Sequence, residues 1–251
     1  MEHIELTSRF LHGPGVEIGA FKTPIPGIKP IYVDRFSEYA GEPTLAEYYG
    51  DACELPFFDS SLQYVATSHV LEHVANPLAA LSEWFRVLHH DGIIYMVIPD
   101  ISRTFDHARP LSTTEHMLSD FRNGITQTDG THIDDFVYGV DWKSFSPTTK
   151  PQDVKSAQDE LASVYRNSVQ AGSEINIHFH TFNSKSAVEL IETGNSGKIW
   201  AGTIDVLEVL ENFPSTNPDG FLIVARVSKN DQSRFDPPLP EKGLMKNARR
   251  F

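Results

Sequence analysis

Short apolar runs alternate with amphipathic stretches along most of the chain. Val16 and Ile18 mark a first β-type run, and Ile31-Tyr32-Val33 marks a second that ends in Asp34. Between them Pro24, Pro26 and Gly27 break any helix and predict a loop. Residues 62–67 form a third β-type run. Over 77–88, Leu78, Leu81, Phe85 and Leu88 recur at three-and-four spacing, which predicts a helix with one buried face. Asp91-Gly92 is expected to close that helix, and 93–98 is a nearly unbroken apolar strand of the kind covered on both faces.

Repeated strand–helix–strand order predicts an α/β fold, doubly wound around a mainly parallel sheet. The last third differs. Residues 204–210 and 221–227 are β-rich and flank a segment of turn formers, Asn212 to Gly220, which predicts an antiparallel hairpin at the sheet edge. Residues 101–180 have little strand character and are expected to form an inserted helical and loop cap over the site. Within it Val154, Ala157, Leu161, Val164 and Val169 keep a helical period. The expected organisation is one domain over 1–229 and a proline-rich, charged surface tail over 230–251.

Composition narrows the function classes. No run in the 251 residues approaches the roughly 18 apolar residues of a membrane span. The start, Met1-Glu2-His3-Ile4-Glu5, lacks the order of a secretory signal. A single cysteine, Cys53, excludes an intramolecular disulfide and a cysteine-based metal site, and a cytoplasmic setting fits. Thirty-four acidic against 21 basic residues give a net charge of −13, which repels a phosphate backbone. The expected partner is a small polar molecule, with no nucleic acid and no membrane; the oligomeric state is not legible.

Acids and a glycine fall at predicted strand ends. In Gly15-Val16-Glu17-Ile18-Gly19-Ala20, Gly19 stands where the strand turns, so backbone can approach a ligand. Asp34 ends the second strand, where a carboxylate can accept from two ribose hydroxyls, and Arg35 follows it. Asp51, with Ala52 after it, is read as lying just before the third parallel strand, where it can accept from an adenine amino group. A nicotinamide enzyme would need a fuller G-x-G-x-x-G loop to seat a pyrophosphate, and the sequence lacks one.

Downstream come Ser68-His69-Val70-Leu71-Glu72-His73-Val74, Pro77, Trp84-Phe85-Arg86-Val87-Leu88 and Asp91-Gly92-Ile93-Ile94. This block resembles the class I S-adenosylmethionine (SAM)-dependent methyltransferases, which carry a His-Val-Leu-Glu-His segment after the fourth strand and a helix ending Arg-Val-Leu before the fifth. The resemblance covers about residues 13–100 and, more loosely, 204–227. It implies a seven-stranded sheet with the last strand antiparallel and S-adenosyl-L-methionine as cofactor. It further implies Glu17 and Gly19 in the first cofactor motif, Asp34 as the ribose acid, Asp51 as the adenine acid, and His69 beside the methionine end. Ala20, Phe21 and Lys22 stand where many members have further glycines. A subgroup associated with bacterial saccharide modification is similar in this form, and in the stretch from Ile98 to His116 and in His178-Phe179-His180.

The substrate half offers candidates rather than a motif. Asp100 ends the predicted fifth strand, followed by Arg103, Asp106 and Arg109; His116, His132, His178 and His180 lie further on. In a β-type alternation His178 and His180 share a face, and either can serve as a base near neutral pH, oriented by Asp100 or Asp106. Arg103 or Arg109 can grip an anionic group, with Asp106, His116 and His132 lining the acceptor site. Glu72-His73 can equally well cap the following helix. His178, His180 and Asp100 could hold a divalent cation, but no compact acidic cluster accompanies them and no metal is expected. The preferred reading is a methyltransferase acting on a hydroxyl, or an amine, of a sugar-like metabolite. The alternative is a catalytically silent scaffold of the same fold.

Overall fold

The computed structural model describes residues 3–39, 41–230, 245, 249 and 250. The strands are β1 (Gly15–Ile18), β2 (Ile31–Asp34), a small antiparallel ribbon of β3 (Glu38–Tyr39) and β4 (Glu42–Pro43), β5 (Tyr48–Tyr49), β6 (Leu62–Ser68), β7 (Leu88–Pro99), β8 (Gly202–Phe213) and β9 (Gly220–Lys229). The main sheet has seven strands in the order β5-β2-β1-β6-β7-β9-β8, and β9 runs opposite to the other six. The α/β class, the parallel sheet and the edge hairpin are therefore as expected.

The helices are α1 (His3–Phe10), α2 (Pro77–Val87), α3 (Thr114–Asn123), α4 (Ile133–Gly139), α5 (Trp142–Phe145), α6 (Val154–Gln170) and α7 (Ser184–Ser196). Strand alternation separates two faces. Val16, Val65, Ile94, Met96 and Ile98 pack beneath α2, α3 and α7, whereas Tyr64, Ala66, Tyr95, Val97, Leu222 and Val224 pack against α1. On α2, Leu78, Leu81, Trp84 and Val87 are fully buried, each such apolar side chain contributing about 1.5–3 kcal/mol. Helices α4, α5 and α6 enclose a separate small core of Ile133, Phe136, Val137, Trp142 and Ala162, joined by Ile175, Ile177 and Phe179 of the following segment.

Several expectations need correction. Asp91-Gly92 does not close α2: the helix stops at Val87 and Leu88 is already extended. Asp91, at φ 67°, instead bends the long strand β7, and a side chain on Gly92 would stand 2.9 Å from the His89 carbonyl. Asn76, not Glu72 or His73, caps α2 by accepting from the Ala79 amide at 3.1 Å. On α6, Val164 points to solvent at 52% exposure. Asp51 does precede the expected third run, β6, but it comes shortly after an unforeseen short parallel strand, β5. Most of the expected tail, 230–251, lies outside the described residues. Of those described, Met245 bridges to Phe57, and the Tyr49 amide donates to the Arg249 carbonyl at 2.8 Å.

Candidate active site

A cavity of about 350 Å³ opens at the carboxyl ends of β1, β2, β5 and β6, where doubly wound sheets bind ligands. Gly19 leaves β1 at φ 71° with its amide on the Val33 carbonyl (3.0 Å), and an added Cβ would stand 2.7 Å from Val70. Only glycine brings the two loops this close without strain. Gly19, Ala20, Asp34, Arg35, Asp51, Ala52 and His69 all line the cavity. On its protein side Asp34 accepts from the Phe36 amide at 3.1 Å; burial raises its pKa, and a ligand hydroxyl reaching it would relieve that cost.

Arg35 and Asp51 have jobs within the protein as well. Asp51 accepts from the Cys53 amide at 2.7 Å and pairs with Arg35 Nε at 3.0 Å. Arg35 also pairs with Glu174, from the segment after α6, and so latches the cap to the rim. Glu174's neighbour Asn176, together with Gln127, lines the cavity from the cap side.

Glu17 does not line the cavity, which corrects its expected role. It is 1% exposed and accepts from the Ile25 amide at 2.9 Å, holding down the loop after Gly19. Burial pushes its carboxyl up to about 7, and its second oxygen has no hydrogen-bond partner. The folded state thus keeps a proton that the unfolded chain releases near 4.5, so this contribution to stability is full below pH 4.5 and fades as pH rises through 7. Glu17→Gln, neutral throughout, is expected to gain roughly 2–3 kcal/mol on the wild type between pH 5 and pH 8 in urea unfolding. An identical gap at both pH values would contradict this assignment.

Two histidines face the cavity. His69, at φ 55°, sits where β6 ends, its amide on the Val97 carbonyl at 3.0 Å. Its Nδ1 is 3.7 Å from Glu72 Oε1 and its Nε2 is 3.7 Å from Asp219 Oδ1, and neither carboxylate oxygen has a hydrogen bond. Glu72 is buried, so the imidazole has two carboxylates at hand to offset a positive charge. His73 lines the cavity beside it, and burial holds its pKa below the ordinary imidazole value.

The remaining candidates fall outside the cavity wall: Asp106 and Arg109 gather with His178, His116 and His132 gather with His180, and Asp100 and Arg103 join neither cluster. The segment carrying His178 and His180 is irregular and joins no strand. His178 bonds Asp106 at 2.5 Å and stacks edge-on against His73 with centroids 4.5 Å apart. His180, fully buried, is 3.0 Å from Asp120; burial pulls its pKa down to about 4. The two histidines therefore do not share one reacting centre. Asp100 orients neither: it caps the next turn by accepting from the Ser102 amide at 2.8 Å. Of the expected orienting acids, Asp106 is the one that meets a histidine. Its burial opposes ionisation, but hydrogen bonds from His178 and Arg109 outweigh it and hold the pKa low.

Nor do the arginines await an anion. Arg103 donates to the Pro218 carbonyl at 3.0 Å, and Arg109 is buried between Asp106 (2.7 Å) and Asp135 (2.6 Å). His116 and His132 join His180 around Asp120. The cavity's aromatic rim of Phe21, Phe36 and Tyr39 escaped sequence reasoning, as did His73, Gln127 and Asn176. The first two aromatics adjoin Gly19-Ala20 and Asp34-Arg35, which was the available clue; Gln127 and Asn176 reach the cavity only through the packing of the cap.

Residues 29–96 match the sequence model of a family described as "Methyltransferase domain". That segment runs from just before β2 through most of β7 and carries Asp34, Asp51 and His69. A curated relative from Streptomyces fradiae, an uncharacterized 37.1 kDa protein in transposon TN4556, is 34% identical over 97 residues. That alignment takes in 35% of this chain and only 28% of the relative. Among solved structures, a SAM-dependent methyltransferase from Methanosarcina mazei aligns over 92% of this chain and 100% of its own, with TM-score 0.48 and 15% identity. A Thermotoga maritima SAM-dependent methyltransferase, described as a possible histamine N-methyltransferase, aligns over 90% and 88% with TM-score 0.45 and 18% identity.

Proposed function

We propose that the chain is a SAM-dependent methyltransferase that methylates a hydroxyl, or an amine, of a small polar and sugar-like acceptor. The observation that carries this reading is the cavity at the strand ends, with Gly19, Asp34 and His69 on its wall and an aromatic rim. Its size suits a nucleoside-sized cofactor. Asp34 accepts the ribose hydroxyls, and Phe21, Phe36 and Tyr39 offer apolar faces to the adenine. When bound, SAM supplies an electrophilic methyl group on a sulfonium.

Methyl transfer is an in-line displacement, so alignment and exclusion of water dominate. The Arg35–Glu174 latch keeps the cap closed over one side. His69 takes the proton from the attacking hydroxyl, and Glu72 and Asp219 offset the charge that its ring acquires. Reassigning the base from His178 or His180 to His69 follows from position, because among the described residues only His69 and His73 of the histidines face the cavity. A net charge of −13 favours a small acceptor over nucleic acid, and the single cysteine goes with a cytoplasmic setting.

The test is acceptor-dependent release of S-adenosylhomocysteine across a panel of saccharides, polar alcohols and amines. His69→Gln is expected to lower turnover about 10²- to 10⁴-fold while leaving SAM affinity within a few-fold. Unchanged turnover in that variant would remove His69 as the base. A wild type that binds SAM but transfers to nothing would favour the silent scaffold.

A further inference from the structure

Away from the cofactor cavity, three imidazoles converge on one carboxylate. His116 and Asp120 lie one turn apart on α3, His132 stands immediately before α4, and His180 comes from the segment that follows α6. His116 Nε2 is 3.0 Å from His132 Nε2, and each is 3.4 Å from Asp120 Oδ2. His180 Nε2 is 3.0 Å from the same oxygen, and the four ligand atoms all lie within 4.8 Å of one another. Asp120, His132 and His180 are buried at 5%, 2% and 0% exposure, and His116 closes the cluster from the surface.

Hydrogen bonding alone does not satisfy this arrangement. His180 Nδ1 lies 3.2 Å from the Val74 carbonyl, and its Nε2 lies 3.0 Å from Asp120. A neutral imidazole has one N–H, so one of these contacts sets two acceptors face to face. Double protonation would satisfy both, at the cost of a cation on a side chain with no exposure. His116 Nε2 and His132 Nε2 also face each other while both face the same carboxylate oxygen. A cation at the centre resolves all of these contacts. Each Nε2 then offers a lone pair, Nδ1–H of His180 donates to Val74, and Nδ1 of His132 engages Thr131 Oγ1 at 3.0 Å. Metal–nitrogen bonds of about 2.0–2.1 Å in a tetrahedron place ligand atoms about 3.3 Å apart, close to the four spacings of 3.0–3.4 Å given above.

We propose that His116, Asp120, His132 and His180 form a tetrahedral, structural zinc site that fastens the start of α4 and the segment after α6 to α3, which packs on the α/β core. Four protein ligands complete the coordination, which is the pattern of structural rather than catalytic zinc. The ion draws α3, the start of α4 and the 175–183 segment together. It sits beside the start of α2, where Asn76 Nδ2 donates to the Asp120 carbonyl at 3.3 Å. The site replaces the expectation of no metal, and it uses neither Asp100 nor His178. It stands or falls separately from the cofactor reading.

The test is metal binding by the full-length protein after chelator treatment. One equivalent of Co²⁺ is expected to give the intense visible absorption of four-coordinate cobalt, with Zn²⁺ displacing it one for one and raising Tm. His116→Ala, at the exposed corner, is expected to weaken zinc binding at least about 100-fold and to abolish the cobalt band, and Asp120→Asn to do the same. Circular dichroism shows whether each variant is folded; where one is not, the wild-type cobalt spectrum and zinc-dependent Tm decide. A folded wild type that takes up no cobalt, a spectrum of six-coordinate cobalt, or unchanged binding in folded His116→Ala would overturn the proposal. The last result would place the ion elsewhere, for instance at Glu72, His73 and His178.

Discussion

Replacing Asp34 with alanine is expected to weaken SAM binding by about 30- to 1000-fold. Hydrogen bonds to a charged group are worth about 1.5–3 kcal/mol each; the two from a ribose diol share one carboxylate and add less than fully, so their loss amounts to roughly 2–4 kcal/mol. The carboxylate stands at the end of β2 on the cavity wall, with its protein-side contact at the Phe36 amide. Burial already works against its charge, so removing it spares the fold a desolvation cost while emptying the ribose position. Asp34→Asn, which keeps one acceptor, should fall between the two. Calorimetric titration of the folded variants reads this directly, and wild-type affinity in Asp34→Ala would take the ribose contact away from this residue.

Arg109→Ala is expected to cost about 3–5 kcal/mol of stability. The guanidinium side chain has no exposure and joins Asp106, Asp135 and the His178 carbonyl, the last at 2.9 Å. It thereby ties together the turn after β7, helix α4 and the segment leading to α7. Truncation leaves Asp106 buried beside His178 with half of its compensation gone. Arg109→Lys should recover little, because a point charge does not reach several acceptors with the geometry of a planar fork. Urea unfolding measures the loss; a cost below about 1 kcal/mol would show that the arginine is free to serve a ligand instead.

The cofactor half was legible because its chemistry is written locally. Gly19 and His69 follow strands directly, and Asp34 ends another, so predicting the strands places the residues. Even the glycine-poor loop has a local solution: Phe21 adopts φ 46° itself, and Glu17 fastens the loop at Ile25. That second role was hidden, because an acid in a strand reads as a ligand-facing group until its burial is known. The cap was opaque for a different reason. His178 meets Asp106 across 72 positions and His180 meets Asp120 across 60, contacts set by how α3, α4 and α6 pack. Alternation paired His178 with His180, whereas the fold sends each to a different acid. The zinc ligands were nearly all in view as substrate candidates, but Asp120, which organises them, carried no mark in the sequence.

The most direct test of the central claim is calorimetric titration of SAM into the folded wild-type protein. One site per chain with micromolar or tighter affinity is the predicted result, and it would establish the strand-end cavity as a cofactor site. Absence of binding by a protein whose circular dichroism and cooperative unfolding show it to be folded would contradict the methyltransferase account.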